Sequence, residues 1–359
     1  MKLIELRLEN WRNIAETRIS AGPGINMLEG PNGAGKTSVL EAIYLLSHGR
    51  SFRTQRGEFL VRQGMSQAVV FGQVESSRGV VHLGMMQGDG RWSARVDGQP
   101  ATTVTAAIGN CAVVCFEPGS HALIAGPSDE RRRYLDWGVF HVEPDFPAIA
   151  RRFRRALTQR NALLRNGATT AELSAWDAEL APAALALNAA RLRYFGRLTP
   201  VLLERLRALL PDLGEPFFQY LPGWNIERDL GLALSDSHGT DRQRGHTTRG
   251  PHRADWKLSF ELAPRREQLS RGQEKLCAIG CMLAQAQLYH ADHGEWPVVL
   301  LDDLPSELDL AHQRVVVEAL TREAAQVFLS STEMPACLLD VAAPYRSFHV
   351  EQGRVSALL

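Results

Sequence analysis

The sequence predicts an α/β domain built from both ends of the chain and interrupted by a mainly helical insertion. Three observations predict it. Gly30-Pro31-Asn32-Gly33-Ala34-Gly35-Lys36-Thr37 fits G-x-x-x-x-G-K-[ST], the phosphate-binding loop, between a strand pattern and a helix pattern. Val298-Val299-Leu300-Leu301-Asp302-Asp303 reads as a buried strand ending in two carboxylates. Between them, from about 126 to 210, the apolar spacing turns helical. The expected division is therefore 1–125 with 250–359 for the α/β domain and 126–249 for the helical one.

The elements follow in order. Ile4, Leu6 and Leu8 alternate with Glu5, Arg7 and Glu9, which predicts a half-buried strand. Ile25-Asn26-Met27-Leu28 predicts a buried strand running into the glycine-rich loop, and Val39, Leu40, Ile43 and Leu46 give the next segment helical spacing. Residues 67–100 alternate and turn at glycines, as an antiparallel meander does. Ser128-Asp129-Glu130 marks a helix start, and two long helices are expected over 144–165 and 172–210, joined near Asn166-Gly167. They lack the sustained heptads of an extended coiled coil. Residues 235–250 are polar and are expected to be mobile. Trp256 to Phe260 alternate as a strand, assigned here to the α/β domain; then come a helix after 270, a strand at 298–302, a helix at 311–325 and a strand at 326–330.

Bulk composition narrows the class. Hydrophobic residues make up 45%, enough for a core, and no run of 18 or more apolar residues offers a membrane span. The first residues alternate as a strand without a signal-peptide layout. Five cysteines lack metal-ligand spacing and read as free thiols, which fits a reducing cytoplasmic compartment. Formal charge is zero, but residues 121–250 hold 18 Arg and no Lys against 15 acids, so this segment is the better polyanion surface.

The chemistry sits in the motifs. Glycines let backbone N–H groups point at phosphate oxygens at a helix N-terminus, so Gly30, Pro31, Asn32, Gly33, Ala34, Gly35, Lys36, Thr37 and Ser38 are the nucleotide-binding candidates. Lys36 would reach the β- and γ-phosphates, and Thr37 with Asp302 would hold Mg²⁺. Asp303 stands where a water-polarising carboxylate would; the plainer reading of adjacent Asp residues is a helix cap. Leu269-Ser270-Arg271-Gly272-Gln273 opens a predicted helix with a second anion cradle, from which Ser270, Gly272 and Gln273 are candidates. Together with Ser306-Glu307-Leu308-Asp309, these motifs resemble the ATP-binding-cassette superfamily. That resemblance implies two chains sandwiching two ATP molecules, each chain's Ser-Gly-Gln loop capping the other's γ-phosphate. Ser330-Ser331-Thr332 replaces the sensing His of transporters, and Asp303 replaces their Glu, which predicts slow turnover.

The whole chain resembles the RecF family of bacterial recombination mediators. The resemblance rests on Leu8-Glu9-Asn10-Trp11-Arg12-Asn13, Gly33 to Ile43, Gly49-Arg50-Ser51-Phe52-Arg53-Thr54, Gly126 to Trp137, Gln159-Arg160-Asn161, Arg249 to Asp255, Leu269 to Lys275 and Leu301 to Asp309. Pro305 stands where that family usually has a small residue. The resemblance implies a DNA-stimulated ATPase that dimerises with ATP on double-stranded DNA. It implies work at single-strand gaps and stalled forks, where RecR and RecO partners help load RecA onto DNA coated by single-strand-binding protein.

The DNA-contacting candidates are Arg131 and Arg132, then Arg151, Arg154 and Arg155 on one helical face. Solvated arginines with intramolecular partners are the plainer alternative. Arg50, Arg53, Arg249, His252 and Arg253 allow either a nucleotide or a structural role, and Trp11 suits the core better than a base stack. Two other functions stay open. One is a transporter's nucleotide-binding subunit, which the long insertion and missing sensor His oppose. The other is an ATP-binding DNA scaffold without significant turnover, which the intact Lys36, Thr37, Asp302 and Asp303 oppose.

Overall fold

The computed structural model describes residues 1–88, 90–339 and 344–358. The chain divides into two compact units, 1–120 with 271–359 and 121–270.

The first unit holds two six-stranded sheets. One is antiparallel and orders the strands Ile14–Ser20, Lys2–Trp11, Gln67–Ser76, Gly79–Gly88, Arg91–Val96 and Gln99–Pro100. The other orders Arg354–Leu358, Tyr345–Glu351, Ile25–Glu29, Val327–Ser331, Val298–Leu301 and Val113–Phe116, parallel apart from the terminal hairpin. Its inner strands are nearly continuous apolar runs, as buried parallel strands must be. Val298 to Leu301 are completely buried. The helix Lys36–His48 packs into the core through Val39, Leu40, Ala42, Ile43, Leu45 and Leu46, all fully buried. Gly49 ends it in the left-handed region at φ 64°, donating its N–H to the Leu45 carbonyl at 2.8 Å.

The second unit is led by three helices, Ser128–Val142, Phe146–Arg165 and Thr170–Leu209. The last is 40 residues long, about 60 Å at 1.5 Å per residue. Thr169 and Glu172 close its start with a capping box. Two expectations are corrected here. The strand Asp255–Phe260 does not join the α/β sheets; it pairs antiparallel with Pro216–Leu221, so residues 250–270 belong to the mainly helical unit. The sequence of a strand does not record its partner, so the expected boundary at 250 falls short of the observed one at 270. Nor is the polar stretch 235–250 loose. Leu230–Asp236 and His238–Arg244 are helices, and Asp241 and Thr247 are buried.

The polar residues of that stretch explain its order. The Arg160 guanidinium is fully buried and donates to Asp177 at 2.6 Å, Asp241 at 2.7 Å and the Thr247 hydroxyl at 2.9 Å. Asp241 also accepts from Ser237 at 2.9 Å and from the Thr248 hydroxyl at 2.6 Å. Asp177 meets His238 Nε2 at 2.6 Å, and Asn161 accepts from Thr247 at 2.7 Å. A network this complete tolerates burial of its charges.

Candidate nucleotide site

The loop 30–37 leaves the central strand Ile25–Glu29 and feeds the helix Lys36–His48, so the first helical N–H groups face the loop. Two glycines are required by geometry. A Cβ at Gly30 would overlap the carbonyl oxygen of Val350, and Gly35 precedes the helix at φ 121°. Asn13 braces the loop from outside. Its Nδ2 donates to the Ala34 carbonyl at 3.1 Å, and its Oδ1 accepts from Ser38 at 3.2 Å. The N–H of Gly353 donates to the same Ala34 carbonyl at 2.8 Å.

Lys36 Nζ donates to the carbonyls of Gly30 at 2.6 Å and Pro31 at 3.0 Å. Burial lowers its pKa, against the opposing pull of Asp303 and Asp302. Thr37 Oγ1 donates to Asp302 Oδ1 at 3.0 Å, and Ser330 Oγ donates to the same oxygen at 2.6 Å. Burial is the largest influence on Asp302 and raises its pKa. Hydrogen bonds from Ser330 and Thr37 and the charge of Arg53 work against that, while Asp303 adds to it. Asp303 sits in the left-handed region at φ 53°, ψ 39°, and its N–H donates to Ser330 Oγ at 3.0 Å. It stands ahead of the short helix Leu304–Glu307, but its side chain makes no capping hydrogen bond. Non-glycine residues held at positive φ cluster at functional sites.

This arrangement fits a nucleoside triphosphate with Mg²⁺. The loop offers backbone N–H groups and an ammonium to phosphate, while Thr37 and Asp302 offer hard oxygens to a small divalent cation. Ser330 is committed to Asp302, so its hydroxyl is not simply a substitute for the transporter sensor. The motif pattern did not reveal Asn13 or the Ser330–Asp302 contact as parts of the site, because both lie far from the loop in sequence.

The remaining candidates divide. Ser270 is exposed, immediately ahead of the helix Arg271–His293; Gly272 is exposed and Gln273 half-buried in its first turn. Arg131 is corrected as a phosphate-contacting residue. It is buried, forks onto Asp255 at 2.6 and 3.1 Å, and donates to the Gly126 carbonyl at 2.8 Å. Arg132 is half-buried and donates from Nη1 to Ser128 Oγ at 2.8 Å and the Ala254 carbonyl at 2.7 Å. Both serve the fold because their helix packs against the strand Asp255–Phe260. Arg151, Arg154 and Arg155 are exposed on the helix Phe146–Arg165.

Trp11 is fully buried, and its Nε1 donates to the Ser38 carbonyl at 2.8 Å, so it supports the loop and does not stack outside. Arg12 forks onto the buried Glu41 at 2.5 and 2.8 Å. Ser51 donates to Glu41 as well, tying residues 49–54 to the loop's helix. His252 packs inward, with Nε2 donating to the Thr247 carbonyl at 2.9 Å. Burial lowers its pKa to about 4, aided by Arg253 and Arg132 and opposed by the Thr247 hydrogen bond.

Residues 2–113 match the family model described as RecF/RecN/SMC N terminal domain. A curated protein of Xanthomonas axonopodis pv. citri (strain 306), named DNA replication and repair protein RecF, is 44% identical over 362 residues, covering 99% of this chain and 98% of that protein. A solved structure described as the recombination mediator protein RecF-ATP in the RecFOR pathway superposes with a TM-score of 0.90. Its identity is 26%, with coverage of 99% of this chain and 97% of that one. An Smc head bound to the C-terminal winged-helix domain of ScpA shares the fold, with a TM-score of 0.61 and 15% identity over 100% of this chain and 98% of that one.

Proposed function

Because the chain belongs to the RecF family of DNA replication and repair proteins, we propose that it is an ATP-binding recombination mediator whose ATP-driven dimer acts on DNA at gaps and stalled forks. The observation that carries the reading is the cluster of Thr37, Asp302 and Asp303 beside the phosphate-binding loop. When bound, ATP with Mg²⁺ supplies the phosphoanhydride and the charge that polarises it. Loop N–H groups and Lys36 would hold the phosphates; Thr37 and Asp302 would hold the metal. The Asp303 carboxylate orients the attacking water and takes its proton. Ser270, Gly272 and Gln273 close the γ-phosphate of a second copy, so the site is completed in trans.

Asp303 is one methylene shorter than Glu, which suits slow hydrolysis stimulated by DNA. A kcat well above the typical enzyme median of ~10 s⁻¹ would refute slowness. Arg151, Arg154 and Arg155 contact duplex phosphates. Partner proteins of the RecR and RecO class then connect the complex to RecA loading beside single-stranded DNA.

The deciding experiment is Lys36→Met. The variant should remain a folded monomer and lose ATP-driven dimerisation by sedimentation. A variant that still dimerises with ATP removes the sandwich mechanism.

A further inference from the structure

Lys275 Nζ and Glu307 Oε2 form an ion pair at 2.9 Å, with 22% and 11% of their side chains exposed. Neither residue has a role in the nucleotide chemistry above. Lys275 lies three residues beyond Gly272 on the helix Arg271–His293, so both fall on the same face one turn apart. Glu307 ends the short helix that begins directly after Asp303. The pair therefore joins two segments that the proposed dimer uses on different nucleotides. Residues 270–273 address the partner's ATP, while Asp303 addresses the ATP of its own chain.

The segment 303–308 is fixed at its other points too. The Asp303 N–H bonds to Ser330 Oγ at 3.0 Å, and the Ser306 N–H bonds to the Asp303 carbonyl at 2.9 Å. Gln313 Nε2 donates to the Leu308 carbonyl at 2.7 Å within the core. Pro305 restricts φ in the middle. These contacts form a short connected path from Glu307 back to Asp303, whose left-handed backbone occupies a narrow allowed region.

We infer that the Lys275–Glu307 ion pair positions Asp303 according to whether residues 270–273 are engaged on the partner's nucleotide. Each chain thereby reads the other's ATP before hydrolysing its own. The inference rests on the trans-sandwich reading. Lys275 and Glu307 are positioning residues, acting through Asp303.

The test uses the full-length protein with Lys275→Gln, Glu307→Gln, Lys275→Arg and the charge exchange Lys275→Glu with Glu307→Lys. A fluorescent ATP analogue measures monomer affinity at dilute protein. Sedimentation measures dimerisation, and steady-state assays give kcat and its cooperativity in ATP. The neutral variants should bind nucleotide as wild type does, lose ~10-fold in kcat and lose cooperativity; displacements near 1 Å at a reacting group cost this much or more. Lys275→Arg and the charge exchange should recover most of both. Unchanged kcat and cooperativity in both neutral variants overturn the inference. A loss accompanied by lower thermal stability, with no recovery in either rescue variant, makes the pair a plain tether and overturns it too. Failure of the wild type itself to dimerise with ATP removes the sandwich and this inference together, and is read without any variant.

Discussion

Asp241 and Asp302 are both buried carboxylates that accept hydrogen bonds from hydroxyl groups, but they differ in the charge opposite them. Asp241 faces the Arg160 guanidinium at 2.7 Å. Burial is the largest influence on it and acts to raise its pKa, but hydrogen bonds from Thr248, Arg160 and Ser237 with the charge of Arg160 outweigh it, and the net shift is downward. Asp302 has Thr37 and Ser330 but, among the described residues, no ion pair, and its pKa is raised by burial. The nearby Lys36 ammonium is bonded to loop carbonyls. One cluster is complete and holds the helical unit together. The other has no cation paired with its carboxylate among the described residues, the arrangement that a bound divalent cation would complete.

The sharpest way to break this contrast is Arg160→Ala. It leaves Asp177 and Asp241 buried without their cation and should cost about 3–5 kcal/mol in denaturant unfolding. A loss below about 1 kcal/mol would show that the network is not structural. Asp302→Asn should do the reverse: kcat falls ~100-fold or more with the metal contact, while stability stays within about 1 kcal/mol of wild type or rises. A large drop in stability would mean that Asp302 is satisfied within the fold.

Acid titration sharpens the same point. A lowered carboxylate stabilises the fold above its unfolded pKa of about 3.9, and that stability is lost as pH falls through the lower folded value. The advantage of wild type over Asp241→Asn should therefore be full at pH 6 and shrink below about pH 4. A raised carboxylate such as Asp302 costs stability above its folded pKa, and acidification relieves that cost. A margin for Asp241 that grows on acidification would reverse the assignment. The smallest expected effect on stability is at Arg151, Arg154 and Arg155, where alanine should change it by less than about 0.5 kcal/mol. Each substitution should lower the salt slope of duplex binding by about 1; an unchanged slope would move the DNA surface elsewhere.

The sequence was most legible where function is contiguous. The phosphate-binding loop carries its glycines, Lys36 and Thr37 in one run, and two acids after four aliphatics single out Asp302, which the fold brings to Thr37. Asn13 and Ser330 were not assigned their contacts, since each meets the site only through the fold. Arg131 and Arg151 look alike as letters; burial against Asp255 separates one from the other. Residues 235–250 read as loose because their polarity suggested solvent, whereas much of it is spent on Arg160, Asp177 and Asn161. The domain boundary slipped for a related reason, as pairing between 255–260 and 216–221 leaves no local mark.

The strand Ile25–Glu29 that launches the phosphate-binding loop lies between Tyr345–Glu351 and Val327–Ser331, and the loop itself leans on Val350 and Gly353. Every sheet neighbour of the loop's strand is thus made more than 290 residues later. During synthesis the ribosome releases the motif well before the two strands that flank it. A nascent chain therefore carries the letters of the nucleotide site long before the strands that flank its launching strand exist.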